Sequence, residues 1–319
     1  MKEIKITDIQ GIKIGHAENI EAGTGCTVII CEKGAYAGVD VRGGAPASRE
    51  TQLLNPVNLV EQVHAVVLSG GSAFGLDCAA GVMEYLERHD IGFDVQVTKV
   101  PIVCGAALFD LVVGDHKIRP DKKMGYDACV QASDKECLQG SVGAGTGASV
   151  GKLLGMDRAM RGGIGIYGVQ IGDLKVASIV AVNCLGDVIH PDTGERAAGL
   201  LDEAKKKVIS TEEEMYKTYS NKTNLFSGNT TIGVVITNGK MNKPQATKVA
   251  SMTHNGFARS MRPAHSMFDG DTIYALSTSE VDADVNVIGA LGAETMAKAV
   301  YQAVISADSR YGILAHRDL

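Results

Sequence analysis

The sequence predicts a layered fold in which helices and strands alternate along the whole chain. Short apolar runs rich in β-branched residues alternate with segments in which apolar residues recur at helical spacing. One pair of such runs has the form of a hairpin, and no Pro-rich or low-complexity linker divides the 319 residues. We therefore predict a single domain over residues 1–319, of the mixed α/β or α+β type.

The first half of the chain contains three predicted strands and one helix. The strands Cys26–Lys33 and Ala35–Arg42 are expected on either side of a turn at Gly34. A third strand, Ala65–Ser69, is expected to be buried. The helix Ser72–Arg88 follows it, with its first residue as the expected N-cap.

The second half begins with the clearest hairpin. Its strands, Ile164–Ile171 and Leu174–Asn183, are joined by Gly172-Asp173, a sequence that favours a two-residue turn. The later predicted elements are the strand Thr230–Thr237, the helix Asn242–Met261, the strand Thr272–Ser277 and the helix Val285–Ser306. The helix at 242–261 is expected to be capped by its Asn and to carry Pro near its start.

Composition excludes several classes of function. There are 31 Lys and Arg residues against 37 Asp and Glu residues, a net charge of −6, so the basic surface of a nucleic-acid-binding protein is not expected. The first residues are charged and lack the apolar stretch of a signal peptide. The longest uncharged run, Thr223–Gly239, is rich in Thr, Ser and Asn, so no membrane span is expected.

The cysteine pattern indicates a reducing compartment. The seven Cys residues are odd in number and include no C-x-x-C pair, so neither a disulfide framework nor a zinc cluster is predicted. We expect the protein to be cytoplasmic. The His residues have no H-E-x-x-H or similar spacing, and no metal is predicted.

Two Gly-rich stretches resemble nucleotide or nucleophile motifs without matching them. In Gly143–Lys152, Thr146 stands where a P-loop requires its first Gly, and Leu153 follows the Lys. The dinucleotide-binding pattern fails at Ala148. Phe74 stands where the G-x-S-x-G pattern requires its last Gly. We interpret both stretches as tight turns with close backbone packing, and no cofactor is predicted.

The junction at Thr230 is the most informative feature of the sequence. A polar segment, Thr211–Asn229, expected to be a flexible loop, ends directly at a strand that begins with Thr230. If the Thr230 hydroxyl attacked the Asn229 carbonyl, an ester would form that water could hydrolyse. The new α-amine, with a pKa of roughly 7.7–8, would then serve as a base beside the hydroxyl that it activates. The alternative is an ordinary boundary between a loop and a strand.

A set of motifs spread over nearly the whole chain favours the catalytic interpretation. The segments are Ile6–His16, Gly23–Val28, Gly38–Pro46, Arg49–Thr51, Leu68–Leu76, Gly228–Ile232 and Phe268–Thr272. Together they resemble the self-processing N-terminal-nucleophile amidohydrolases, a family that includes D-aminopeptidases, β-peptidyl aminopeptidases and nylon-oligomer hydrolases. The Asn-Thr junction followed by Asp-Gly-Asp is most similar to the nylon-oligomer hydrolase branch, because the D-aminopeptidase branch has a Ser nucleophile.

The resemblance implies a role for each matching residue. Thr230 matches the nucleophile and Asn229 the residue on the other side of the cut. Asp269 and Asp271 match an acidic pair near the nucleophile, where a carboxylate would hold the amine and the hydroxyl in register and stabilise the cationic amine. The alternative for Asp-Gly-Asp is a plain turn. Because a turn carboxylate is normally a surface group, we expect replacement of either Asp by Asn to lower the rate more than the stability.

Two further matches are less specific. Asn183 matches the amide of the oxyanion hole, a neutral donor that stabilises developing negative charge. Lys152 matches a Lys that could bind the hydroxyl of the nucleophile or the carbonyl of the substrate. The alternatives are a polar residue at a strand end and a solvated surface Lys. Phe109 stands where the nylon-hydrolase branch has Tyr, so a role for that hydroxyl cannot be transferred.

A conventional base and nucleophile, His265-Ser266, is the competing site in the sequence. Adjacent residues on an extended segment point to opposite faces, which argues against their acting together.

The resemblance also implies the overall fold and activity. The expected fold is a four-layer αββα sandwich, and the expected products of self-cleavage are residues 1–229 and 230–319. The mature enzyme would hydrolyse a small amide, a short peptide or an oligoamide through an acyl-Thr230 intermediate, and would assemble as a homotetramer or larger. An acyltransferase of the same fold and a binding protein that does not process itself remain alternatives.

Overall fold

The computed structural model describes residues 1–219 and 228–319. The strands are β1 Lys2–Glu3, β2 Ile12–Asn19, β3 Thr24–Val41, β4 Ser48–Arg49, β5 Gln62–Ser69, β6 Phe93–Asp94, β7 Lys99–Val100, β8 Val103–Ala107, β9 Ser149–Val150, β10 Met160–Arg161, β11 Gly163–Ile171, β12 Leu174–Val182, β13 Asp187–Ile189, β14 Arg196–Ala198, β15 Ile232–Gly239, β16 Met261–Arg262 and β17 Thr272–Val281. The α-helices are α1 Cys78–Arg88, α2 Lys122–Val130, α3 Thr211–Thr218, α4 Lys243–Ser260 and α5 Val285–Ile305.

One hydrogen-bonded path connects the main strands. Its order is β1-β11-β12-β15-β17-β3-β5-β8-β4, and β2 also pairs with β3. The long strand β3 connects two sheets, because its first part pairs with β2 and β5, whereas Tyr36–Val41 pairs with β17. The pairs β15–β17 and β5–β8 are parallel.

The predicted turn at Gly34 is wrong. The two apolar runs on either side of Gly34 belong to the single strand β3, and its register on β5 shifts between Ile30 and Ala35. The first run pairs with β2 and β5, and the second pairs with β17 and, at Ala35 and Tyr36, also with β5, so the two runs do not pair with each other. The chain therefore needs only an irregularity within β3, rather than a turn between two strands, and Gly34 has a left-handed conformation (φ 79°) at that point.

Three hydrophobic cores separate four layers, which confirms the αββα arrangement. Neighbouring strand residues point into different cores: Val234 packs in the central core between the sheets, and Val235 packs beneath α4 and α5. Likewise Ile29 faces the central core, whereas Val28 faces the core beneath α1 and α2. Strands buried on both faces in this way contain nearly continuous apolar runs, such as Ile232–Ile236 in β15.

Most predicted helices and strands are present with small shifts at their ends. The hairpin is confirmed, with Ile171 opposite Leu174, and α4 has Asn242 as its N-cap in a capping box. The first predicted helix begins later than expected. Ser72 has a φ of 55° and starts a 3₁₀ helix, Ser72–Asp77, before α1. Within the described ranges, no helix has both the length and the apolar character needed to cross a membrane.

The polar segment before Thr230 is only partly a loop. Its first eight residues form α3, with the Ser210 side chain accepting a hydrogen bond from the Glu213 N–H. The Asp187 carboxylate also accepts a hydrogen bond from the Thr211 N–H at 2.8 Å. Residues 220–227 of the predicted loop lie outside the described residues.

Two strand glycines let the helices pack directly on sheet backbone. A methyl group on Gly165 would overlap the carbonyl oxygen of Ala299 in α5. One on Gly38 would overlap the backbone N of Thr247 in α4. The spacing between helix and sheet therefore depends on the absence of a side chain at these positions.

We expect Gly165→Ala to destabilise the fold by about 3 kcal/mol, because the added methyl forces α5 away from the sheet. Urea unfolding measures the loss. Gln170→Ala, further along the same strand, is the control and should change the free energy of unfolding by no more than about 0.5 kcal/mol. Equal effects of the two substitutions would contradict the close packing.

Candidate active site

The topology brings the predicted site residues to one edge of a sheet. Asn183 follows the end of β12, and Thr230 precedes the start of β15. Because β12 and β15 are antiparallel, that end and that start meet. The parallel partner β17 starts at the same edge, so Asp269 and Asp271 lie there too. These residues are far apart in the sequence, and the pairing of β12, β15 and β17 brings them together.

The Asn229–Thr230 junction is buried and held on both sides of the peptide bond. The Thr230 N–H donates to the Asn183 carbonyl at 3.0 Å, and the Gly270 N–H donates to the Asn229 carbonyl at 3.0 Å. The Thr230 hydroxyl donates to the same Asn229 oxygen. The hydroxyl thus lies against the carbonyl group that it would attack, and a backbone donor already polarises that group.

Lys152 is a buried member of the site rather than a surface residue. Its ammonium donates to the Asn183 carbonyl at 3.0 Å, to the Asn183 side-chain oxygen at 2.9 Å and to the Gly228 carbonyl at 3.3 Å. Burial lowers the pKa of Lys152 to about 8, against the opposing effect of neighbouring acidic groups that include Asp269 and Asp110. The Lys152 ammonium therefore links Gly228, just before the junction, to Asn183, whose carbonyl accepts the hydrogen bond from the Thr230 N–H.

The Asn183 side chain is engaged differently from the expectation. Its oxygen accepts from Lys152 and from the Ser149 N–H, and its nitrogen donates to the Phe109 carbonyl at 3.0 Å. The backbone donor to the Asn229 carbonyl is the Gly270 N–H. Sequence reasoning missed Gly270, because a Gly has no side chain and can contribute only through its backbone groups.

The Asp-Gly-Asp turn is not a surface turn, because both carboxylates are 1% exposed. Asp269 accepts from the Ser266 N–H at 3.0 Å and from the Ser266 hydroxyl. Burial, reinforced by the charge of Asp271, raises the pKa of Asp269 to about 6. Asp271 accepts from the Thr231 N–H at 2.9 Å. One hydrogen bond described for these carboxylates comes from Thr231, the neighbour of Thr230, and the others come from Leu185, His265 and Ser266 rather than from Thr230 itself.

His265 and Ser266 form hydrogen bonds with the carboxylates of Asp271 and Asp269 instead of forming a catalytic pair. His265 has a φ of 59°, so this segment is not extended, and both side chains turn towards Asp-Gly-Asp. The Nδ1 atom of His265 lies 2.9 Å from an oxygen of Asp271, and the Ser266 hydroxyl donates to Asp269. The argument from opposite faces of an extended segment is therefore wrong in its geometry, although the two residues do not act on each other.

Comparison with known proteins assigns the chain to a family. The model of peptidase family S58 matches residues 5–317. This chain belongs to peptidase family S58. It is therefore a hydrolase of amide bonds, and the resemblance recognised in the sequence is confirmed.

Relatives and solved structures agree with that assignment. An uncharacterized aminopeptidase of Mycobacterium leprae is 39% identical, covering 97% of this chain and 92% of the relative. A 6-aminohexanoate-oligomer endohydrolase of Paenarthrobacter ureafaciens is 31% identical, covering 95% and 86%. The L-aminopeptidase D-Ala-esterase/amidase of Ochrobactrum anthropi, which has an Ntn-hydrolase fold, superposes with a TM-score of 0.67 at 16% identity, covering 95% and 86%. The S58 chain therefore has the Ntn-hydrolase fold.

We expect Asp271→Ala to destabilise the protein by about 3 kcal/mol, because it removes the acceptor of the buried Thr231 N–H and of the partly buried His265 N–H. Urea unfolding should be measured in a Thr230→Ala background, so that every sample keeps the same covalent chain. Asp282→Ala removes an exposed carboxylate paired with Lys240 and should cost less than about 0.5 kcal/mol. A loss at Asp271 no larger than that at Asp282 would contradict the structural role.

Proposed function

We propose that this S58 chain is a self-cleaving amidohydrolase that uses Thr230 as its N-terminal nucleophile. The observation that carries the proposal is the double engagement of the Asn229 carbonyl, by the hydroxyl of Thr230 and by the N–H of Gly270. Its substrates are small amides, short peptides or oligoamides, and its products of self-cleavage are residues 1–229 and 230–319. The proposal extends to a cytoplasmic location, which the cysteine pattern favours, and to an assembly of four or more copies, which the resemblance implies.

Self-cleavage proceeds in two steps. The Thr230 oxygen bonds to the Asn229 carbonyl carbon while its proton is removed, and the negative charge on the carbonyl oxygen is stabilised by the Gly270 N–H. The C–N bond then breaks, the hydroxyl proton passes to the nitrogen, and an ester remains. Water hydrolyses the ester, leaving a carboxylate on Asn229 and a free amine and hydroxyl on Thr230.

In the mature enzyme the same residue supplies the nucleophile and the base. The free amine, with a pKa of roughly 7.7–8, accepts the proton of the Thr230 hydroxyl as that oxygen attacks the substrate amide. The Asn183 carbonyl, which holds the Thr230 N–H in the continuous chain, is placed to orient the amine. The carboxylate of Asp269 stabilises the cationic form of the amine. Lys152 and the Gly270 N–H bind carbonyl groups of the substrate.

Thr230→Ala should abolish processing and amide hydrolysis, because no hydroxyl remains. Thr230→Ser keeps the hydroxyl and should process, more slowly because it lacks the methyl that restricts the rotamer. Intact-mass measurement distinguishes a chain of 319 residues from chains of 229 and 90 residues.

Thr231→Ala is the matched control for the Thr230 variants. Its hydroxyl donates to the sulfur of Met261, away from the junction, and the hydrogen bond from its backbone N–H to Asp271 is retained. It should process close to normally. A wild-type chain that stays whole would favour the non-processing binding protein, and amide hydrolysis by Thr230→Ala would place the nucleophile elsewhere.

We expect the rate of self-cleavage to be highest between pH 6 and pH 8. Below pH 6, Asp269, whose pKa is raised to about 6, becomes neutral and no longer stabilises the amine as it takes up a proton. Above pH 8, Lys152, whose pKa is lowered to about 8, loses the charge that binds the Gly228 carbonyl. Mass spectrometry of freshly folded chain across this range measures the profile.

Asp269→Asn should lower the rate at pH 7 at least tenfold, or about 1.4 kcal/mol of barrier, and remove the fall in rate near pH 6. Thr231→Ala serves as the control here too, and its profile should match the wild type. An Asp269→Asn profile that still falls near pH 6 would assign the acid limb to another group.

A further inference from the structure

The residues before the junction show how the acyl side of a substrate binds. We infer that the mature enzyme prefers an internal amide, in which the residue donating the acyl group is itself N-acylated through an unbranched unit, over a substrate with a free amino terminus. The inference rests on the proposed function, because Asn229 is the acyl group in self-cleavage. Before cleavage, Gly228-Asn229 therefore occupies the site that the acyl side of a substrate occupies in the mature enzyme.

Hydrogen bonds hold both carbonyls of Gly228-Asn229 and the Asn229 N–H. Lys152 donates to the Gly228 carbonyl at 3.3 Å, and the Asn229 N–H donates to the Phe268 carbonyl at 3.2 Å. The Gly270 N–H donates to the Asn229 carbonyl. Asn229 also forms a parallel β-bridge with Asp269. Two of these bonds involve the amide between Gly228 and Asn229, a group that an aminopeptidase substrate lacks.

Charge argues in the same direction. In a substrate with a free amino terminus, an ammonium group would replace the Asn229 N–H. Standard amide geometry places that nitrogen about 5.5 Å or less from the Lys152 ammonium, given the contact between Lys152 and the Gly228 oxygen. Lys152 is buried, so solvent screens the repulsion poorly.

Shape restricts the unit before the acyl residue. The ring of Phe109 packs against Gly228 so closely that a Cβ atom on Gly228 would overlap the ring carbons. An unbranched unit fits this position, such as Gly, an acetyl group or a straight ω-amino acyl chain. An L-amino acid with a side chain does not fit while the ring stays in place.

The first experiment compares three p-nitroanilides with processed wild-type enzyme: Asn-pNA, N-ethyl-Asn-pNA and N-acetyl-Asn-pNA. The N-ethyl compound adds size but keeps the charged amine, whereas the acetyl compound replaces the charge by the carbonyl that Lys152 binds. We expect kcat/KM for the acetyl compound to be at least tenfold above both others. An equal or higher value for Asn-pNA would overturn the inference.

The second experiment tests Phe109. Acetyl-Ala-Asn-pNA should have a kcat/KM at least tenfold below that of acetyl-Gly-Asn-pNA, and Phe109→Ala should reduce the difference to threefold or less. Phe109→Leu tests the same point with a smaller change in volume. In the chain itself, Gly228→Ala should slow self-cleavage, and Phe109→Ala in the same chain should restore it. An unchanged preference for Gly in both Phe109 variants would overturn the assignment.

The two proposals fail in distinguishable ways. A wild-type chain that never processes, or anilide hydrolysis that survives in Thr230→Ala, counts against the proposed function. A chain that processes through Thr230 but leaves acetyl-Asn-pNA intact, or prefers the free amine, overturns only the inference about the acyl subsite.

Discussion

The parallel register between β15 and β17 is the constraint on which the site depends. Ile232 lies opposite Thr272, so the residues just before the two strands must lie side by side. That placement brings the Gly270 N–H to the Asn229 carbonyl and the Asp271 carboxylate to the Thr231 N–H. Because a shift of one residue would reverse which side chains face each core, hydrophobic packing fixes this register and with it the chemistry.

Burial of charge is the second determinant of the site. Lys152 and Asp269 are removed from solvent, and their pKa values move towards neutrality from opposite sides, to about 8 and about 6. Such groups are tolerated because carbonyls surround the ammonium and N–H and hydroxyl donors surround the carboxylate. The arrangement therefore holds two titratable groups near the junction within the pH range in which a free Thr amine can act as a base.

The sequence predicted elements well where a local signal existed and poorly where tertiary contacts decided. The Gly-Asp hairpin turn and the Asn242 cap carry their own geometry, and both are present. The continuity of β3 through Gly34 depends on which strands pair with its two parts, and nothing local encodes that. The family resemblance indicated Thr230 and the acidic pair as candidates, and the fold brings them to one sheet edge. The Gly270 donor could be found only in the structure, since a backbone N–H leaves no sequence signature.

The continuous chain uses the same groups that a substrate would need later. Lys152 and the Gly270 N–H are occupied by the carbonyls of Gly228 and Asn229, and the Asn183 carbonyl is occupied by the Thr230 N–H. On the proposed mechanism, cleavage releases the first two carbonyls and leaves their donors facing an open acyl site. Folding of the whole sheet, rather than binding of a substrate, then supplies the free energy needed to organise these buried polar groups. On this mechanism self-cleavage and turnover share one geometry, so substitutions that disturb the strand register should impair both together.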